Sequence, residues 1–417
     1  MWVRTQIKIG WSDLLTGGWR AYFPPDRKTE LRRAESFFAD DGSWMASYSV
    51  RTGFELLLRA LKLAPGDEVI FSAVNVRGMV KIVTDMGLVP VPVDIGFSDL
   101  SPSPKLLEAA ITPRSKVFIA AHLFGTRADL SQVFAMAKAK GLATVEDCAQ
   151  AFNGKAYPGH ELADVTMFSF GPIKTATALG GALLRIKDRA LLARVRELQA
   201  AYPMQTDKQQ LKRVVSAVGL KLISSPMLLG AIYRYYKKRG RNYEEELSNK
   251  VRDVAPLKQA NGLHRQTSAS LLWLMNRRMR QLSEAGLSKR AAKGERLAGL
   301  LKGAATLPGQ QARHHDYWLF AVVTDKPNEL AAELREHGFD AGGLPRSQTV
   351  QPPQGRADLG PVLAKDMLDH VVVVPCYESM PDKEIDRQAL VIRAALQKSN
   401  PGETAGLQQR MDNRVPA

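Results

Sequence analysis

An α/β fold built on a mostly parallel sheet, with helices on both faces, is predicted by three features of the sequence. Between Pro65 and Ile186 short apolar runs of strand length alternate with stretches carrying apolar residues at helical intervals. Two of the runs lead into polar residues: Leu142 to Glu146 delivers Asp147, and Val165 to Phe170 contains Ser169 and opens a turn bearing Lys174. At 417 residues the chain is also long enough for two domains sharing a large core.

The elements follow in order. Residues 1–45 mix Trp11, Trp19, Tyr22 and Phe23 with a Pro24-Pro25 break, and read as a folded cover or as an arm over a partner subunit. Arg51 to Leu63 reads as a helix, with Phe54, Leu57, Leu58 and Leu61 on one face. Its N-terminus offers free N–H groups and a positive dipole end, which suits a phosphate, and Arg51 adds a bidentate donor. An exposed helix cap is the competing reading. Pro65-Gly66-Asp67-Glu68-Val69-Ile70 is a turn entering a strand, Val76 to Met86 a helix, and Leu88 to Asp94 a strand interrupted by prolines. Lys116 to Ala121 is a strand ending in His122-Leu123-Phe124-Gly125. His122 at a strand's carboxyl end either faces a ligand or serves as a structural hydrogen-bonder. Ala182 to Ile186 is a strand leaving Gly180-Gly181, and Leu191 to Ala201 a helix.

The stretch from Lys208 to Tyr243 holds nine Lys or Arg residues and no acid, interleaved with Val214, Leu222, Met227 and Tyr235. A basic amphipathic stretch of this kind can lie on an anionic membrane surface or shape a pocket for a nucleotide- or lipid-linked substrate. The plainer reading is a helical hairpin packed on the domain, with Pro226 near its bend. Thr267 to Arg280 and Ser288 to Leu301 read as helices. From about residue 315 a small α/β unit follows: strand Tyr317 to Thr324, helix Asn328 to His337, strand Val371 to Val374 and helix Lys383 to Gln397. His314 and His315 precede it, and in extended backbone at most one of them can face a site. Residues 399–417 are polar, with Pro and Gly, and read as a disordered tail.

Composition bounds the function. The formal charge of +16 favours acidic partners such as phosphorylated substrates, nucleic acid or an anionic surface. No nucleic-acid motif supports the second of these. Two cysteines, Cys148 and Cys376, give no disulfide framework, and the seven His and two Cys show no metal-ligand spacing. No secretory leader pattern follows Met1, and no run reaches the roughly 20 apolar residues of a membrane span. A cytoplasmic protein without a metal is the expectation.

Asp147 and Lys174 stand at positions where ligands bind, outside the carboxyl ends of strands. A carboxylate and a lysine converging there suggest pyridoxal phosphate chemistry, which needs an amine to hold the cofactor and an acid to keep its ring nitrogen protonated. An ordinary buried Asp and a surface Lys are the alternative on spacing alone.

Together, Glu146-Asp147-Cys148-Ala149-Gln150-Ala151, Ser169-Phe170, Lys174 and Gly180-Gly181 resemble the signature of the DegT/StrS-type sugar aminotransferases. Gly66-Asp67-Glu68-Val69-Ile70 and the His122-Leu123-Phe124-Gly125 turn add to the likeness, which runs from about Ser47 to Leu396. The resemblance implies the pyridoxal-phosphate-dependent transferase fold type I: a large, mostly parallel seven-stranded sheet domain and a small C-terminal α/β domain. It divides the chain into an arm (1–45), a large cofactor-binding domain (46–205), a basic helical insert (206–260), a helical connection (261–310), a small domain (311–398) and the tail. It implies that Lys174 carries the cofactor as an internal aldimine and that Asp147 pairs with the pyridinium nitrogen. Gln150 would lie beside the ring, and Ser169, Arg51 and Thr52 would contact the phosphate.

Three departures from the family stand out. Where it has Ser-Gly-Thr, this chain has Ser49-Val50-Arg51-Thr52-Gly53. Where it stacks an aromatic residue on the ring, this chain has Val76. Its Asn-x-Arg element, which crosses to a partner's site, falls on Leu263 and Arg265 unless Asn261 serves. His122, Arg265 and His315 are the substrate-side candidates. The implied activity is transfer of an amino group from glutamate or glutamine to a keto acceptor, a nucleotide-linked keto-sugar, in a homodimer. Retention of Lys174 argues against the sugar-dehydrating branch. Two other classes compete: a different pyridoxal-phosphate reaction on an amino-acid or lipid-linked substrate, and a non-catalytic binding or regulatory relative.

Overall fold

The protein is described from a computed structural model, which covers residues 1–240 and 262–398. The end of the basic insert (241–260), Asn261 and the tail (399–417) lie outside the described residues. A seven-stranded sheet organises the chain. Its strands are β1 (Trp44–Ser47), β2 (Glu68–Ser72), β3 (Val89–Val93), β4 (Ser115–Ala121), β5 (Ala143–Asp147), β6 (Val165–Ser169) and β7 (Ala182–Ile186). Their order across the sheet is β1-β7-β6-β5-β4-β2-β3. The pairs from β6 to β3 are parallel and β1 runs antiparallel to β7. These strands are buried almost throughout, as parallel strands covered on both faces must be. Pro90 and Pro92 sit in β3, the edge strand, where a missing N–H breaks no ladder.

The predicted strands stand within a residue or two of where periodicity set them. The helix expected from Val76 runs Arg77–Asp85, with Val76 as its N-cap. The strand expected from Tyr317 shrinks to Phe320–Val323, because Tyr317 takes a left-handed φ of 49°.

Contacts divide the chain into two units. The first comprises Met1–Ala60, Phe152–Ala156 and Phe168–Ser283. Here the N-terminal residues form helices: α1 (Trp11–Tyr22) and α2 (Arg27–Glu35), parted by the Pro24-Pro25 break. They are followed by α3 (Val50–Ala60), α4 (Arg189–Ala200), α5 (Asp207–Ile223), α6 (Pro226–Lys238) and α7 (Ala269–Gln281). Buried Asp13 ties α1 to α7, accepting from Arg277 at 2.7 Å and Arg278 at 2.6 Å. Asn276 of α7 donates to the Glu30 carbonyl at 2.9 Å, which fixes α2 beside it. Thr206 caps α5, which packs on α1, and Ser225 with Pro226 restarts the chain as α6 at a bend of 75°. The expected helix pair with Pro226 near its bend is present, with α5 carrying most of the packing.

The second unit comprises Leu61–Ala151, Tyr157–Met167 and Glu284–Ala417. In it Phe320–Val323 pairs antiparallel with Val371–Val374. Leu123, Phe124, Val323 and Val373 share one buried cluster. Asp94, after β3, accepts the Leu363 and Ala364 amides at 2.8 and 2.9 Å and so caps the helix Val362–His370.

Candidate active site

In the first unit the segment after β6 is held at both ends by one residue. The Phe170 amide donates to Gly181 O at 3.0 Å, while Phe170 O accepts from Ala178 at 2.9 Å and Gly180 at 3.0 Å. Residues 171–179 are thereby closed into a loop, and Lys174 stands within it, half-buried, its amide on Gly171 O at 3.1 Å. Ser169, at the end of β6, accepts from the Gly171 amide at 3.4 Å.

Helices far along the chain press on this loop. Gln210 of α5 donates to Ala178 O at 3.2 Å, and Arg278 of α7 donates to Thr177 O at 3.2 Å. Arg213 of α5 lies buried over the Tyr48 ring at 4.7 Å and donates to the Tyr48 hydroxyl. Burial lowers its guanidinium below the usual arginine range. A Cβ on Gly180 would come within 2.2 Å of Arg213 Nη1, and one on Gly181 within 2.2 Å of Met275 Sδ. Gly181 also has φ of +86°, a conformation that costs any other residue strain. Gly181 is therefore required by its backbone, and Gly180 leaves room for the tip of Arg213.

The turn into α3 is capped by Ser49, whose Oγ accepts the Thr52 amide at 3.1 Å. Thr52 is fully buried and donates its hydroxyl hydrogen to Leu263 O at 2.8 Å, so that hydrogen does not reach a phosphate. Gly53 follows because a Cβ there would meet Leu184 at 2.5 Å, across the α3–β7 contact. Arg51 is half-buried in the first turn of α3, and Arg265 is half-buried just after Leu263.

In the second unit Asp147 ends β5, buried, with Oδ1 accepting from Ala149 N at 2.9 Å and its carbonyl accepting from His122 N at 3.1 Å. Its neighbour Glu146 points the other way into a polar cluster. It accepts from His122 Nε2 at 2.9 Å, Tyr157 Oη at 2.5 Å, the His160 amide at 2.8 Å and Thr166 Oγ1 at 3.2 Å. Burial alone would raise its carboxyl, but His122 and these donors pull it down to about 2. Burial beside Glu146 pushes the Tyr157 phenol up. His122 Nδ1 accepts from Ala128 N at 3.3 Å, which assigns the Nε2–H tautomer. Both ring nitrogens of His122 are engaged inside the protein, as the structural hydrogen-bonding reading expects.

Gln150 also works through the backbone: its Oε1 accepts from Phe124 N at 2.9 Å. Phe124 has a left-handed φ of 57°, and Gly125 beside it one of 94°. Gln150 thus locks the turn that resembles the family's. Val76 is exposed, at the end of the strand Val74–Val76, which pairs with Ser347–Thr349. His315 pairs with Thr126, lies flat on Tyr317 at 3.9 Å and accepts that residue's amide on Nδ1 at 3.0 Å. Burial, then His314 and Arg290, hold His315 at about 3, so its ring is neutral near pH 7.

His122, Glu146 and Cys148 bring their ligand atoms within 4.8 Å of one another. The His–Glu contact is a hydrogen bond, and burial, then Glu146 and Asp147, push the Cys148 thiol up. Sequence inspection missed Gln210, Arg213, Met275 and Arg278. Their signal is the Gly180-Gly181 pair itself, which demands close neighbours without naming them.

The model of the DegT/DnrJ/EryC1/StrS aminotransferase family matches residues 26–232. Among solved structures the chain is similar to TlmJ, an aminotransferase from Streptoalloteichus hindustanus, with TM-score 0.67 and 18% identity over 95% of this chain and 99% of that one. It is likewise similar to DesV of S. venezuelae, with TM-score 0.65 and 21% identity over 93% and 94% of the two chains. A third is NtdA from Bacillus subtilis, solved with bound cofactor PMP, with TM-score 0.66 and 18% identity over 93% and 82%. At these identities the structures speak for the fold.

Proposed function

We propose, from the premise that this chain belongs to the DegT/DnrJ/EryC1/StrS aminotransferase family, that it is a pyridoxal-phosphate-dependent transaminase working through Lys174 and Asp147. The observation that carries the reading is the clasped loop after β6, which presents Lys174 from a backbone closed by Phe170 and by Gly181 in a left-handed conformation. The residues fit the cofactor's chemistry. Asp147 is a buried carboxylate at a strand's carboxyl end, oriented by Ala149 N, and suits a protonated ring nitrogen. Ser169 and the amides opening α3, with Arg51, suit a phosphate dianion.

Bound there, the cofactor supplies the electron sink that lets an amino group pass between carbon skeletons. Lys174 Nζ would hold it and, once neutral, move a proton between donor carbon and cofactor carbon. Asp147 would keep the ring nitrogen charged, and its burial excludes the water that would screen that pair. Val76, in place of an aromatic, would give the ring a β-branched packing surface. Gln150 supports this site indirectly, by setting the Phe124 turn. Arg265 remains the candidate for a substrate or a partner's site in a homodimer.

The donor would be glutamate or glutamine and the acceptor a nucleotide-linked keto-sugar. A net charge of +16 supports an acidic, phosphorylated acceptor. The test is transfer of 15N from labelled glutamate or glutamine to a panel of nucleotide-linked keto-sugars, read by mass spectrometry. Label in an amino-sugar product with wild type and none with Lys174→Ala is expected. Transfer only to simple keto acids, or equal transfer by Lys174→Ala, overturns the assignment.

A further inference from the structure

The first unit carries an apolar, cationic face that the aminotransferase reading does not use. On α1 the residues Trp11, Leu15, Trp19 and Phe23 recur at helical spacing and are 48%, 74%, 62% and 49% exposed. The opposite side of the same helix, with Asp13, Leu14, Gly17 and Ala21, is buried. The stripe continues onto α5 and α6. Lys221 Nζ stands 5.6 Å from the Trp11 ring, and the two residues share a cavity of about 220 Å³ with Leu222 and Pro226. Leu222 is exposed, and Met227 beyond it is 86% exposed. On α5 and α6, and at the C-cap of α6, Lys208, Lys212, Arg234, Lys237, Lys238 and Arg239 are exposed, and residues 208–240 contain no acid.

We propose that this face lies on a lipid bilayer carrying anionic headgroups. Exposed tryptophan and tyrosine with aliphatic tips suit the boundary between headgroup and acyl chain, and cations at their edge pair with anionic lipid. The arrangement lies on the membrane and does not span it. No single helix among the described residues is long and apolar enough to cross, and the α5–α6 pair is bent by 75°. Gln210, Arg213 and Val214 of α5 are buried on the protein side, which leaves only its outer surface for lipid. A second copy of the chain is the poorer occupant. A two-fold interface places the same patch against itself, and here it would oppose cations to cations.

Sedimentation of the full chain with vesicles tests this, comparing phosphatidylcholine alone with phosphatidylcholine containing phosphatidylglycerol. Partition onto the anionic vesicles is expected to be at least about tenfold stronger and to fall with salt. Leu15→Glu with Trp19→Glu should lower it at least about tenfold while the thermal midpoint holds. Lys237→Glu with Lys238→Glu, at the exposed end of α6, should lower it by about fivefold or more for each lysine. Equal binding to both vesicle types overturns the proposal, and so does a Leu15→Glu, Trp19→Glu protein that binds like wild type. Wild type that ignores vesicles, with a Leu15→Glu, Trp19→Glu chain that loses an oligomer in light scattering, would overturn it in favour of a self-interface.

Discussion

The two strand ends that carry Asp147 and Lys174 are held in different ways. After β5 the chain is fixed by polar groups close in sequence: Glu146 gathers His122, Tyr157, the His160 amide and Thr166, all within 24 positions of it. After β6 it is fixed by shape and by distant helices, with Gly180 against Arg213, Gly181 against Met275, and Gln210 and Arg278 on loop carbonyls. One end rests on a buried charge with its donors satisfied, the other on close packing around a left-handed Gly181. The first should respond to pH and the second to volume.

Volume gives the largest expected effect. Gly181→Ala places a methyl 2.2 Å from Met275 Sδ in a left-handed backbone, and should cost about 2–4 kcal/mol with loss of cofactor retention. Thermal unfolding with and without added pyridoxal phosphate checks it; a midpoint within a degree of wild type would show that the loop yields.

Next comes the charge. Glu146 titrates near 2 in the folded chain against an ordinary 4.5, so its contribution is full above about 4.5 and lost as pH falls toward 2. His315, at about 3 against 6.5, destabilises the fold as pH falls from 6.5 toward 3, because the unfolded chain takes up the proton first. Glu146→Gln should therefore lose about 2–4 kcal/mol at pH 7 and flatten the acid limb below 4.5. His315→Gln should flatten only the part between 6.5 and 3. Denaturant titrations across pH separate the two, and a parallel shift of the whole curve would contradict both assignments.

This difference also decides what was legible in the sequence. The strands, the parallel sheet and the Glu146-Asp147-Cys148-Ala149-Gln150-Ala151 element are read from local pattern, because apolar periodicity and a strand-end acid are written within a few residues. Thr52 and His122, each a candidate at a ligand, make hydrogen bonds inside the protein, and a hydroxyl or imidazole looks the same in sequence whether it faces a phosphate or a carbonyl. Gln210 and Arg213 were invisible for the opposite reason. They lie in a stretch whose basic, apolar composition suits a packed hairpin or a surface alike, and nothing in it says that one face of α5 is buried against the Lys174 loop.

The smallest effect sharpens the same contrast. Gln150→Ala removes the acceptor for Phe124 N and should cost about 1 kcal/mol. Gln150→Glu, which keeps an acceptor, should restore most of it. Loss of activity in both with stability unchanged would instead put Gln150 in direct contact with the reacting groups.

The most direct test of the central claim is the visible absorption of the purified protein, before and after borohydride, for wild type and Lys174→Ala. An absorbance that borohydride bleaches, with the cofactor's mass then found on the peptide containing Lys174, is the predicted result. A wild-type protein that stays colourless with added pyridoxal phosphate, or cofactor mass on a different lysine, would contradict the account.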